Sequence, residues 1–530
     1  MGLLFIEILH RRHKMDEQAA LDELKRRREI AMAMGGPDGV ARHRKRGRLT
    51  ARERLDKLLD PGTWMEIGAL EQFTTLEGEE FHVNKIRGFG KIDGRTVMVQ
   101  SDDSTILAGT GGKEVSGVPR MKGLHSAKTP ELNFPFIRLG ESGGVHMQSV
   151  MGSAGVLSVT YRGRGLLNPR KAPRITAILG YCFGDPTWQA AISDFVVQVK
   201  GTCMAVSGPR VLEVAVQEKT TPEELGGWEL HAEVTGQVDA FAEDDEHCMQ
   251  IIREFLSYMP SHCDEEPPYV PPSDPADRKT GRILKIIPQK SNQIYDVNRV
   301  IKEIVDDGKS FTLKPLFGKA LITCLARMNG RVVGIIANQA LYKGGAAGAE
   351  ECEKAASFIV LCDSFNIPLV HLADTPGFLV GKNAERRKIP LKIMTWMEAL
   401  SLASVPKITV IIRKAYGMGI SNMCGPNCGA DFIAALTTSE ISFMSPEAAA
   451  NVVWGPRIAE ADDPEAERER LIKEMEYGSA PWEAAATAWL DDVLDPHDTR
   501  KYIIDCLEIM HSRKNGFISD KLLQNWPTGF

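Results

Sequence analysis

The 530-residue chain reads as an α/β protein built from two copies of one unit. Three observations predict this. Short apolar strands alternate with helix-length stretches and Gly-containing turns, the pattern of α/β units whose turns gather at one edge of a sheet. Separated segments match at one constant offset of 233 positions: Pro135-Phe136-Ile137 with Pro368-Leu369-Val370, Glu141-Ser142-Gly143-Gly144 with Asp374-Thr375-Pro376-Gly377, Arg174-Ile175-Thr176 with Lys407-Ile408-Thr409, and Gly184 with Gly417. Between the copies, Glu265 to Asp277 is rich in Pro, Asp and Glu and poor in apolar residues, as a linker is.

The elements follow in order. Asp16 to about Met34 is charged and helix-favouring, and stops at Gly35-Gly36-Pro37. The basic stretch Arg42 to Arg48 leads into Thr50-Ala51-Arg52-Glu53, a capping-box pattern that starts a short helix ending near Asp60-Pro61-Gly62. Each copy then gives a strand, a turn, a helix-length stretch, a second strand (Ile175 to Leu179; Ile408 to Ile412) and a turn that opens a helix. The expected division is a helical, basic extension over 1–62, a first domain over 63–275 and a second over 276–530.

Composition narrows the function. A length of 530 residues exceeds one ordinary core. A net charge of −6 provides no general attraction to nucleic acid or anionic membrane, and no apolar run reaches the roughly 18 residues of a membrane span. The apolar Met1 to Leu9 is followed, not preceded, by basic residues, the wrong order for a secretory signal. Ten cysteines without regular spacing indicate reduced thiols and a cytoplasmic location. Cys424 and Cys428 lack a second ligand pair, so no metal is expected.

Familiar motifs fit poorly. Gly140-Glu141-Ser142-Gly143-Gly144 has the form of a nucleophile elbow, but the matching turn in the second copy has no serine nucleophile. Gly109, Gly111, Gly112 and Lys113 lack the Ser or Thr of a phosphate-binding loop. The stronger chemical feature is the pair of turns Phe183-Gly184-Asp185 and Gly417-Met418-Gly419. Backbone N–H groups aimed into a pocket stabilise an oxyanion without a titrating side chain; alternatively the glycines only permit tight turns.

Several segments together resemble the carboxyltransferase subunits of propionyl-CoA and methylcrotonyl-CoA carboxylases: Ala51 to Gly62, Gly140 to Gln148, Leu225-Gly226-Gly227 with His231 and Gly236, Phe317 to Gly345, Phe365 to Gly381 and Val405 to Gly417. The resemblance implies a crotonase-like domain in each half and a homo-oligomer, commonly a hexamer built as a trimer of dimers. It also implies a CoA thioester bound by the first half and carboxybiotin, carried on a separate biotin carboxyl carrier and charged by a biotin carboxylase, received by the second half of a neighbouring subunit. In that family the ureido group left by carboxybiotin takes the α-proton, the enolate attacks carbon dioxide, and two oxyanion holes hold the oxygens.

The chain departs from the pattern at four places. The family's Ala-Gly-Gly-Ala falls on Phe183-Gly184-Asp185-Pro186, its Gly-Gly-Ala on Gly417-Met418-Gly419, its Ser-Gly-Gly-Ala-Arg on Ser142-Gly143-Gly144-Val145-His146, and its Arg-His-Gly-Ala-Lys on Leu391-Lys392-Ile393-Met394-Thr395. The candidate catalytic residues are therefore Gly184, Asp185, Met418, Gly419 and His146, with Trp188 beside them. The candidate binding residues are Arg44, Lys45 and Arg46 for CoA phosphates, Ser142, Gly143 and Gly144 on the first half, and Gly377, Lys392, Tyr416 and Gly417 on the second. Asp185 is expected either as an acid or base in the acyl pocket or as a salt-bridged turn residue. The expected reaction is carboxyl transfer; a biotin-independent decarboxylase or C–C lyase, and a non-catalytic partner subunit, are the alternatives.

Overall fold

A computed structural model describes residues 16–74, 80–111, 134–153, 170–426, 428–511 and 521–527. The opening segment weighed as a signal, and Gly112 and Lys113, lie outside these residues.

The described residues open with three helices, α1 (Glu17–Ala33), α2 (Gly36–Arg44) and α3 (Ala51–Leu58). α1 ends where the glycines predict. The chain does not stay irregular there, because Pro37 falls in the first turn of α2, where its missing N–H costs nothing. The basic stretch thus starts inside a helix. Thr50 caps α3 with the full reciprocal box: Glu53 N–H donates to Thr50 Oγ1, and Thr50 N–H donates to Glu53 Oε2 at 2.7 Å.

Two eight-stranded sheets follow. The first contains β1 (Met65–Ile67), β2 (Lys85–Ile92), β3 (Arg95–Asp102), β4 (Phe136–Ser142), β5 (Arg174–Phe183), β6 (Phe195–Val199), β7 (Cys203–Ala205) and β8 (Ala240–Ala242). Helix α4 (Asp185–Ala191) joins β5 to β6, and α5 (Asp245–Tyr258) closes the half. The second contains β9 (Ser310–Leu313), β10 (Leu321–Met328), β11 (Arg331–Asn338), β12 (Leu369–Thr375), β13 (Lys407–Tyr416), β14 (Phe432–Leu436), β15 (Glu440–Ser442) and β16 (Asp492–Leu494). Helices α6 (Ala349–Ser364), α7 (Ile389–Leu402) and α8 (Met418–Asn422) lie in this half.

Strand order is the same in both sheets, β1-β2-β3-β4-β5-β6-β8 and β9-β10-β11-β12-β13-β14-β16, with β7 on β5 and β15 on β13. The repeat extends to irregularities. Register slips between Gly140 and Ser142 where β4 meets β5, and between Ala373 and Thr375 where β12 meets β13. Isolated bridges join Gly111 to Val145 and Ala347 to Phe378. A Cβ on Gly109 would sit 2.3 Å from the Glu141 carbonyl oxygen, and one on Gly345 2.7 Å from that of Asp374, so one close approach is built twice.

The central strands of a parallel sheet are buried on both faces because other elements cover both; β13 is buried along its whole length. One core runs through both halves. Phe195 of β6 stacks on Phe255 of α5 with ring centroids 4.2 Å apart, and both rings meet Phe311 of β9. Between α5 and the next helix, at Ile283, residues 259–282 form neither helix nor strand. Among the described residues no helix is long and apolar enough to cross a membrane, no group of three or more His, Cys, Asp or Glu is placed to hold a metal, and all ten cysteines are thiols.

Candidate active site

The strand ends at the C-terminal edge of each sheet carry two turns: one after the bulged strand (β4, β12), one after the next strand (β5, β13). In the first half Ser142 Oγ donates to the Gly109 carbonyl at 2.7 Å and accepts from the N–H of Gly144. This hydroxyl is buried and used to shape the turn, which argues against a nucleophile elbow. Thr375 Oγ1 does the same for the Gly377 N–H in the second half. Gly144 and Gly377 have φ of +99° and +112°, so the turn demands glycine in both copies.

The second turns begin at Gly184 and Gly417, with φ of +70° and +54°. Gly417 N–H donates to the Ser442 carbonyl, so the donors that α8 leaves at its start are the N–H groups of Met418 and Gly419. Gly419 lies against the neighbouring turn: a Cβ there would be 2.7 Å from Thr375 Oγ1 and 2.9 Å from Gly377 Cα. Met418 is exposed over this contact, and Tyr416, just before it, is buried and donates to Glu440 at 2.5 Å. In the first half Pro186 has no N–H, and Thr187 N–H is taken by the Gly184 carbonyl. Asp185 is the first residue of α4, directly after Gly184.

Buried charges hold the edges of these turns. Glu141, at the bulge of β4, meets Arg54 Nη1 at 2.8 Å and Arg48 Nη1 at 3.2 Å, and Arg54 Nε also donates to Asp245 at 2.8 Å. Burial pushes the Glu141 carboxyl up, but Arg54 outweighs it and the net direction is down. Its counterpart Asp374 is gripped by Arg413 of β13, with Nη2 to Oδ2 at 2.9 Å. Asp185 pairs with the buried Arg138 of β4 at 2.7 Å, and Arg138 reaches Asp102 at 3.3 Å. Asp102 meets Lys85 at 3.1 Å. Burial alone would raise the Asp102 carboxyl; Lys85 and Arg138 bring it down to about 2.

The remaining candidates are placed as follows. His146 caps the short helical turn Met147–Val150 and donates its backbone N–H to the Gly111 carbonyl. Trp188 stands on α4, 40% exposed. Arg44 pairs with Glu53 on the surface, and Lys45 and Arg46 are exposed. Of the basic stretch, Arg48 reaches furthest toward the turns: it pairs with Glu141, donates to the Gly201 carbonyl and lies over the Tyr181 ring at 5.4 Å. Leu391 to Thr395 lies within α7, and Lys392 is held at 2.9 Å by Glu353 of α6. Sequence reasoning passed over Arg54, Arg138 and Tyr181 and gave Glu141 no role, although its match with Asp374 was a signal for a carboxylate at that turn.

These turns stand on a duplicated α/β scaffold, and that scaffold has known relatives. Residues 42–525 match the carboxyl transferase domain family. The chain is 36% identical over 510 residues to the propionyl-CoA carboxylase carboxyltransferase subunit of Haloferax mediterranei, covering 94% of this chain and 98% of that one. It is 36% identical over 507 residues to the methylmalonyl-CoA carboxyltransferase 12S subunit of Propionibacterium freudenreichii subsp. shermanii (94% and 95%), and 33% identical over 505 residues to the methylmalonyl-CoA decarboxylase subunit alpha of Propionigenium modestum (93% and 96%). Among solved structures, transcarboxylase 12S, a hexamer with methylmalonyl-coenzyme A and methylmalonic acid bound, superposes with a TM-score of 0.87 at 35% identity, covering 96% of this chain and 98% of that one. The chain belongs to the carboxyl transferase domain family, and its two halves are crotonase-like domains.

Proposed function

We propose that the protein moves a carboxyl group between carboxybiotin and the α-carbon of a CoA thioester, with the thioester on the first half and biotin on the second. The observation that carries this reading is the paired turn geometry: each half presents a positive-φ glycine and backbone donors, with no side-chain base shared by both. Bound carboxybiotin supplies the carboxyl group and the base. The chain's own work is to hold two oxygens. The N–H groups of Gly184 and Asp185 face the thioester oxygen, those of Met418 and Gly419 the ureido oxygen, and each well-placed donor contributes about 2.7–4 kcal/mol to lowering the barrier.

An added Cβ at Gly184 meets nothing within 4 Å, so the first turn opens onto space that a ligand can enter. The two halves of one chain share a core, and each bears one of the two proposed oxyanion turns, at Gly184 and at Gly417; the complete site joins the first half of one subunit to the second half of another in a hexamer. The carboxyl donor arrives on a separate biotin carrier subunit.

The test is carbon dioxide release from methylmalonyl-CoA by the purified protein with and without free biotin. Release that requires biotin supports the proposal. Equal release without biotin assigns the chain to the reading of a biotin-independent decarboxylase or C–C lyase. Light scattering at micromolar concentration tests the assembly: full activity in a monomer excludes a shared site.

A further inference from the structure

Lys85, Asp102, Arg138 and Asp185 form a chain of alternating charge present in one copy of the repeat only. It runs from buried Lys85 to Asp185, whose side chain is 52% exposed at the mouth of the first turn. The corresponding positions of the second copy are Leu321, Asn338, His371 and Met418. There Asn338 Nδ2 donates to the Gly345 carbonyl, where Lys85 Nζ donates to that of Gly109, and the His371 ring has no hydrogen-bond partner among the described residues.

The second copy therefore reaches the same strand order, the same slip in register and the same positive-φ turns with no ion at any of these four positions. The fold does not require the charged chain. Burying such a chain is costly, and replacing it with neutral residues is often neutral or stabilising. Its ends identify what it serves. Arg138 binds Asp185 at the turn after β5, and Lys85 shares the Gly109 carbonyl with Ser142 Oγ at the turn after β4. One ionic network thus fixes both turns of the first half.

We infer that Arg138 is a positioning residue for carboxyl transfer: it neutralises Asp185 and holds it so that the thioester oxygen meets main-chain N–H groups and not an uncompensated carboxylate. This rests on the carboxyltransfer reading above. A carboxylate a few ångströms from a developing enolate raises the barrier, and more so out of water. Pairing with a buried guanidinium removes that penalty while leaving the amide of Asp185 in place.

The experiment is steady-state kinetics of biotin-dependent carbon dioxide release from methylmalonyl-CoA for the wild-type protein, Arg138→Gln, and Arg138→Gln combined with Asp185→Asn. Asp102 keeps Lys85 in both variants. Arg138→Gln is expected to lower kcat about tenfold or more, up to the roughly hundredfold of a lost oxyanion donor, with KM within about twofold. The double variant recovers most of that loss because no unpaired carboxylate remains. A merely structural role predicts instead that the second substitution restores nothing and that KM worsens with kcat. An Arg138→Gln kcat within about twofold of wild type, or a double variant no better than the single, overturns the inference. Should Arg138→Gln not fold, Asp185→Asn alone decides: the inference requires a loss below about tenfold, and a loss of about a hundredfold, the scale of a missing acid or base, overturns it. A wild-type protein that neither binds nor turns over the ester removes the functional reading and this inference together; with wild-type turnover in hand, the variants test the inference by itself.

Discussion

Glu141 and Asp374 occupy the same place in the two copies, yet each is neutralised by an arginine from a different element: Arg54 on α3 for Glu141, Arg413 on β13 for Asp374. The difference is steric. Arg413 corresponds to Gly180, where even a Cβ would lie 2.3 Å from Glu141 Cγ, so the first copy takes its cation from the N-terminal extension. Gly180→Ala is expected to destabilise the protein by about 1–3 kcal/mol through overpacking against a carboxylate that cannot move. Arg54→Met, which leaves Glu141 and Asp245 without their shared partner, should cost about 3–5 kcal/mol. Urea unfolding of each variant beside wild type checks the order; a silent Arg54→Met contradicts it.

The box at Thr50 fixes the start of α3 and with it the approach of Arg54. Thr50→Ala should cost about 1 kcal/mol, and Thr50→Ser should recover most of it. Differential scanning fluorimetry reads both; equal melting temperatures for wild type and Thr50→Ala would count against the cap.

His371 is fully buried on β12, and burial, aided by Lys407, pushes its pKa down to about 3. In the unfolded chain it titrates near 6.5, so between about pH 6.5 and 3 the unfolded state binds a proton that the folded state refuses. Stability is therefore lost as pH falls through that window. His371→Leu removes the effect. The gap between its urea midpoint and that of wild type should shift in its favour from pH 7 to pH 5, and a pH-independent gap refutes the assignment.

The basic stretch divides into two parts. Arg44 is tied to Glu53, and Lys45 and Arg46 are exposed, whereas Arg48 leans over Tyr181 beside the first turns. Replacing Arg44, Lys45 and Arg46 together by Ala should weaken CoA-ester binding most at low salt, where screening is weakest. Arg48→Ala should weaken it at every ionic strength. Calorimetric titration at two salt concentrations separates them, and unchanged affinity in the triple variant assigns that cluster to solvated surface.

What was legible in the sequence is local or repeated. The box at Thr50 spans four residues, and the constant offset aligned β4 with β12 and β5 with β13 before any coordinates. The turns were legible for the same reason, since glycines with positive φ recur at matching positions. The ionic network was not. Asp185 finds Arg138 47 positions away on another strand, and Lys392 turns to Glu353 on a different helix. Side-chain partners across a sheet leave no periodic trace. The helix α2 was missed because Pro37 reads as a stop, although a proline in the first turn also starts one.

The rings of Phe195, Phe255 and Phe311 weld the two halves into one mechanical body. Lys314 ties them again through Asp239 at 3.0 Å, and the Arg327 guanidinium lies over the Tyr258 ring at 4.4 Å. A hinge between halves would have to tear this seam open on every turnover. Under the proposed carboxyl transfer, admission of a bulky ester and of a carrier-borne group falls to the borders between subunits and to the surface loops, while each chain keeps the turns at Gly184 and Gly417 at a fixed separation like jaws cast in one piece.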